Sequence, residues 1–172
     1  MKFNLVEDPT VSVTYLRDVG RRMTLGYIFA NPNKPDEFFG IIYGAVASVL
    51  VGPKPSKETV MEEMGFCIEN SLSYEEIIAR LDKQYLGNGV MFIPDDLSKS
   101  ATSMVWHGRY VGNIRPFGQT HFRIVLAGED YGEITLGVVS NEELAKMIAG
   151  GIDFDEPIST ITSRFKLKYG KW

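Results

Sequence analysis

The sequence is short of the groups that most chemistry uses. It holds one cysteine, Cys67, and two histidines, His107 and His121, in 172 residues. One cysteine excludes an internal disulfide framework and any metal site built from cysteine alone. Two imidazoles and one thiol leave too few ligands for a structural zinc site. The longest apolar run, Phe38–Val51, has 14 residues, against the roughly 20 that a membrane-spanning helix needs. A Walker A loop, a G-x-G-x-x-G turn, H-E-x-x-H, G-x-S-x-G and paired C-x-x-C are all missing. Acids are missing over a stretch as well. None stands between Asp96 and Glu129, a window of 32 residues that holds Lys99, Arg109, Arg115, Arg123 and both histidines.

A net charge of −4 excludes bulk attraction to nucleic acid or anionic membranes. The N-terminus reaches Glu7 and Asp8 before an apolar stretch can form, so no signal peptide is expected. A lone thiol without an export signal points to the reducing cytoplasm. Hydrophobic residues at 44% and charged residues at 23% are the proportions of a globular chain. No linker-like stretch divides residues 1–172, so one domain is expected.

Strands are expected at Val11–Leu16 and Met23–Ala30, around a turn at Asp18-Val19-Gly20. Pro35, Asp36 and Glu37 resemble a helix start, which makes Phe38–Val51 a buried helix; its Ile, Val and aromatic content leaves a buried strand open. Gly40, Gly44 and Ser48, four apart, suit close packing inside the fold. Ser56 caps a helix that carries Val60, Met64, Cys67 and Ile68 on one face. Ser73 and Glu76 form a capping box for a helix with Ile77, Ile78, Leu81 and Tyr85, a Glu76–Arg80 pair, and an end at Gly87. Gly89–Ile93 is a strand. Ser103–Val111, Thr120–Ala127 and Gly132–Val139 form a meander. A second capping box at Ser140 and Glu143 opens a short helix, and Ile158–Tyr169 reads as a last strand. The expected fold is therefore α+β: a mostly antiparallel sheet of about 6–8 strands, including the 103–139 meander, packed against 3–4 helices.

Strand alternation then groups side chains. With Met104, Trp106 and Tyr110 facing the core, His107 and Arg109 share the opposite face of the first meander strand. His121 and Arg123 do the same on the second. A turn within Gly112–Gly118 brings all four together as one cationic cluster, with Glu133 diagonal to Arg123 across a turn centred at Glu129. Arg binds phosphate oxygens bidentately, and His changes charge near neutrality. The four residues are thus the candidate ligand site for a nucleotide or a nucleic-acid backbone, against the plainer reading of a solvated polar face. If the protein is an enzyme, His107 and His121 would be acid and base of a metal-free phosphodiesterase or nuclease.

Other features carry less. Cys67 lies at helical spacing with Val60 and Met64, as a buried small hydrophobe does. Asp153-Phe154-Asp155-Glu156 and Asp95-Asp96 read as turns, so no metal and no cofactor is expected. The C-terminal alternation of Arg164, Lys166 and Lys168 with aromatics suits an edge strand. With no catalytic motif, the leading expectation is a non-catalytic protein acting through protein–protein contacts or as a homo-oligomer, through apolar side chains such as Trp106, Tyr110, Phe117 or Trp172. Such a small motif-free domain fits an accessory protein of a virus or mobile element.

Overall fold

The computed structural model describes residues 2–44, 48–86, 89–127 and 132–169. In chain order its elements are β1 (Phe3–Glu7), β2 (Thr14–Asp18), β3 (Met23–Asn31), β4 (Lys34–Ile42), β5 (Val49–Lys54), α1 (Lys57–Glu69), α2 (Tyr74–Ala79), a 3₁₀ turn (Lys83–Tyr85), β6 (Met91–Pro94), β7 (Thr102–Trp106), β8 (Arg109–Phe117), β9 (His121–Ala127), β10 (Glu133–Val139), α3 (Glu142–Gly150) and α4 (Ile158–Tyr169). The fold is α+β, a sheet with four helices, of which α1, α2 and α3 lie where the patterning put helices. Among the described residues the ten strands join in one sheet, in the order β1-β2-β3-β4-β5-β8-β7-β6, with β9 on β8 and β10 on β9. Every pairing in it is antiparallel. The 103–139 meander is β7–β10. The two halves of the sheet meet where Val49 pairs with Arg109, through Leu50 N–H to Gly108 O at 2.7 Å and Tyr110 N–H to Ser48 O at 2.9 Å. No helix among the described residues is long and apolar enough to cross a membrane.

Three apolar clusters hold the layers together. One face of β2–β5 (Leu16, Ile28, Ile42, Val49, Val51) packs under α1 and α2 through Val60, Met64, Cys67 and Ile77. The other face (Tyr27, Phe29, Phe39, Ile41), joined by Val11 and Val13 from just before β2, meets Ile93 of β6, Val105 of β7 and Leu81. The third cluster joins β7–β10 to α3 and α4 through Ile114, Ile124, Leu126, Leu136, Ile148, Ile161 and Phe165. Burying each such aliphatic or aromatic side chain contributes roughly 1.5–3 kcal/mol. The helix starts follow their caps: the Ser56 hydroxyl accepts from Thr59 N–H and the Ser73 hydroxyl from Glu76 N–H.

Several segments depart from the sequence reading. Phe38–Val51 is not a helix: residues 38–42 belong to β4 and 49–51 to β5. Pro35 sits where β4 leaves its ladder, between the Asn31–Lys34 and Ala30–Phe38 pairs, so its missing N–H breaks no bond. Gly40 does provide close packing, but from a strand: a Cβ there would lie 2.4 Å from Met64 Sδ. Ile158–Tyr169 is a helix rather than a strand. Ile161 and Phe165, four apart, are its buried side chains, and Lys166 and Lys168 fall in its last turn, where cations suit the helix dipole. Arg80 pairs with Glu63, at 2.6 and 3.0 Å, while Glu76 folds back to Ser73 N–H instead. The cap of α3 is Asn141, which accepts from Leu144 N–H, rather than Ser140. The expected helix end at Gly87, the turn centred at Glu129 and the aromatic Trp172 lie outside the described residues.

Candidate functional site

Ser103–Val111 is not one strand. Trp106 pairs with Arg109, so the chain reverses at His107 and Gly108, whose φ angles are +48° and +80°. Two successive positive φ values make the hairpin turn whose twist matches the strands, and histidine is among the residues that tolerate this region. The segment read as a turn, Gly112–Phe117, is instead strand β8. The next reversal falls at Gly118-Gln119-Thr120, because Phe117 pairs with His121.

This separates the four candidate residues into two pairs. His107 stacks on Trp106 with centroids 4.4 Å apart, and Arg109 Nη2 donates to Phe154 O at 3.1 Å. His121 lies opposite Phe117, eight residues along β8 from Arg109, or about 26 Å of extended chain. Arg123 lies opposite Arg115. Arg115 ion-pairs with Glu133, so the carboxylate expected beside Arg123 serves its neighbour. Arg123 stacks on Phe117 at 5.6 Å, and its buried Nε has no hydrogen-bond partner. Of the apolar residues named for a contact surface, Phe117 is 48% exposed; Trp106 and Tyr110 are half-buried.

What the fold does assemble is a polar cleft of about 520 Å³ between the two halves of the sheet. Tyr15 lies opposite Tyr27, and Tyr27 opposite Ile41. Alternation puts Tyr43, two residues beyond Ile41, on the same face. The facing wall is Ser103, Tyr110, Asn113 and Arg115 from β7 and β8, with Glu133 of β10, and the turn after β6 supplies Asp95 and Asp96. The walls are tied by their own hydrogen bonds. Asp95 accepts from Leu97 N–H, Ser98 N–H and the Ser103 hydroxyl at 2.9–3.1 Å. Asn113 donates to Tyr110 Oη at 2.7 Å and accepts from Arg115 Nε at 2.6 Å. The Tyr43 hydroxyl donates to the Asp96 carboxylate and the Tyr15 hydroxyl to the Asp96 carbonyl.

The electrostatics follow. Burial first, then the Asp96 charge, holds the Tyr15 and Tyr27 phenols above their usual value; at Tyr43 burial is followed by the hydrogen bond to Asp96. Burial raises Tyr110 as well, partly offset by its bond from Asn113. All four therefore stay O–H donors around neutral pH. Three carboxylates face one guanidinium in the cleft, so its field is negative, the opposite of the cationic cluster read from the sequence. The arrangement offers aromatic faces beside fixed donors and acceptors, the features that orient a small polar ligand.

The strand patterning already placed Tyr15 and Tyr27 in strands. Tyr43 was hidden by the helix reading of 38–51, and Asn113 and Arg115 by the turn reading of 112–118. Asp95 and Asp96 carried no signal beyond that of a turn. Cys67 is buried and its thiol is pushed up by that burial, as suits an inert core residue. The 153–156 segment is a turn, closed by Asp155 N–H to Asp153 Oδ1 at 3.0 Å. Among the described residues no group of three or more His, Cys, Asp or Glu side chains could hold a metal ion. Compared with protein-family models, curated proteins and solved structures, the chain matches none of them.

Proposed function

We propose that the protein is a non-catalytic cytoplasmic binding protein that takes a small hydroxyl-rich ligand of saccharide type in the tyrosine–carboxylate cleft. The observation that carries this reading is the pairing of phenol rings with planar polar side chains around one 520 Å³ space, within the size range of small-ligand sites. A sugar ring has an apolar C–H face and an edge of hydroxyls. Tyr43 and Tyr110 supply rings for the face. Asp96, Glu133 and Arg115 supply acceptors and donors for the edge. The Tyr110 hydroxyl, held protonated and accepting from Asn113, is left to donate. A buried free thiol suits a reducing compartment.

The test is melting temperature against a panel of mono- and disaccharides, with nucleotides alongside. A ligand at 100 times its dissociation constant adds about 2.7 kcal/mol, a rise of roughly 5–11 °C for a chain of this size. The expected result is a shift with a saccharide that is lost in Asp96→Ala and reduced in Tyr110→Phe. No shift with any saccharide, or a shift unchanged in both variants, overturns the reading. A shift with nucleotides alone, lost in Arg123→Ala, would restore the phosphate-binding alternative.

A second reading, contact with a protein partner or another copy of the chain, has one observation in its favour. Among the described residues strand β10 pairs with no strand but β9, and Ile134 on this edge, Met147 at 65% and Tyr169 at 43% are exposed. An open strand edge beside apolar side chains is a template for pairing. Light scattering after gel filtration tests it: a dimer that Ile134→Lys dissociates supports the reading, and a strict monomer counts against self-association.

A further inference from the structure

A second cavity, larger than the cleft, lies on the helix side of the sheet. It measures about 620 Å³ and is walled by Ile42 and Val49, by Ile68 of α1 and Leu72 just after it, and by Tyr74 and Ile77 of α2, with Arg109 at its edge. Most of this lining is apolar. The exceptions are Ser71, Glu75 and, as the one cation, Arg109. Its guanidinium gives one N–H to the Phe154 carbonyl, and no described carboxylate lies within ion-pair distance of it. Its charge acts on the Tyr74 phenol, whose hydroxyl makes no hydrogen bond to a described residue. Glu75, exposed, is the one carboxylate in the lining, and it forms no ion pair with Arg109.

We propose that this cavity is a second ligand site, for a carboxylate-headed aliphatic molecule whose chain fills the space between α1, α2 and β5 and whose head is held by Arg109 and Tyr74. The reasoning is charge and polarity complementarity. An apolar cavity with a single cation and a phenol donor side by side matches an amphiphile with one anionic end. A guanidinium with N–H groups to spare binds a carboxylate through its planar fork. A neutral aliphatic molecule would leave that fork unused. A phosphate-rich ligand would strand its polar groups against Ile42, Val49, Ile68 and Leu72. The site shares only Tyr43 with the saccharide cleft, which it also borders, and does not rest on that reading.

Calorimetric titration of the whole chain with octanoate and with octanol is the test. Octanoate is expected to bind about tenfold or more tightly than octanol, the difference a charged hydrogen bond makes. Arg109→Met should erase that preference while leaving octanol binding unchanged. Leu72→Trp, which fills the cavity without touching the charge, should abolish both. Glu75→Gln should tighten octanoate only. Failure of wild type to bind octanoate overturns the proposal. So does equal affinity for octanoate and octanol, or a preference that survives in Arg109→Met. Circular dichroism of each variant confirms that a loss of binding is not a loss of fold.

Discussion

Gly40→Ala has a sign that depends on what the Phe38–Val51 segment is. In a helix interior, alanine for glycine stabilises by about 1 kcal/mol. In strand β4 the outcome reverses, because α1 lies directly over Gly40. The new Cβ would fall 2.4 Å from Met64 Sδ and 2.8 Å from Val60 Cγ1. Met64 cannot swing away easily. It is fully buried, and its Cε already lies 3.0 Å from where a Cβ on Gly26, in the neighbouring strand, would be. Its thioether thus occupies a slot left by two glycines on adjacent strands. Overpacking of this kind costs about 1–3 kcal/mol, a fall in melting temperature of roughly 2–12 °C at 2–4 °C per kcal/mol. Thermal and urea unfolding followed by circular dichroism measure it. Met64→Ala alone should cost about 2–5 kcal/mol, and the double variant should cost less than the two singles added, since the cavity accepts the new methyl. A stabilised Gly40→Ala, or strict additivity with Met64→Ala, would refute the packing of α1 on β4.

Three further outcomes follow from the geometry. The Arg80 hydrogen bonds hold the Glu63 carboxyl below its usual value, so this pair contributes stability above the unfolded glutamate value of about 4.3, and that stability is lost as pH falls through the lower folded value. The stability gap between wild type and Arg80→Met should therefore be constant at neutral pH and narrow in acid. It should stay at or below about 1 kcal/mol, because Arg80 is 42% exposed; a gap that widens in acid would contradict the pairing. His107→Val should destabilise by about 1–2 kcal/mol, because a β-branched residue suits the left-handed region poorly. His107→Asn should be neutral or better in the same urea titration. Ser103→Ala removes a buried donor to Asp95 and should cost about 1–3 kcal/mol by thermal unfolding; no change would mean that the Asp95 turn is held by its backbone bonds alone.

The parts of the fold legible in the sequence are those set by local chemistry. The capping hydroxyls of Ser56 and Ser73, and the alternation in 120–127 and 132–139, act over three to eight residues and read correctly. Phe38–Val51 misread because Pro35 with two acids imitates a helix start, while the residues that keep it extended, Val60 and Met64, are some twenty positions away. Ile158–Tyr169 misread because its basic residues alternate with apolar ones while Ile161 and Phe165 keep helical spacing, and two patterns compete in one segment. The site was lost through two misreadings, the helix over Phe38–Val51 that hid Tyr43 and one misplaced turn. Placing the reversal at Gly112–Gly118 rather than His107-Gly108 moves Asn113 and Arg115 from a cleft wall to a loop. It also joins Arg109 to Arg123, which β8 holds far apart. Tyr15, Tyr27 and Tyr110 were visible one strand at a time; their convergence with Tyr43 depends on the junction of β5 with β8, which no local pattern encodes.

The most direct test of the saccharide cleft is a ring spectrum of the protein labelled at its eight tyrosines, assigned by Tyr→Phe variants and titrated with saccharides. The account predicts that Tyr43 and Tyr110 resonances shift together and saturate, while Tyr169, on the far face of the sheet with α4, stays still. Resonances of Tyr43 and Tyr110 that remain unmoved by every saccharide, while the protein stays folded, would contradict it.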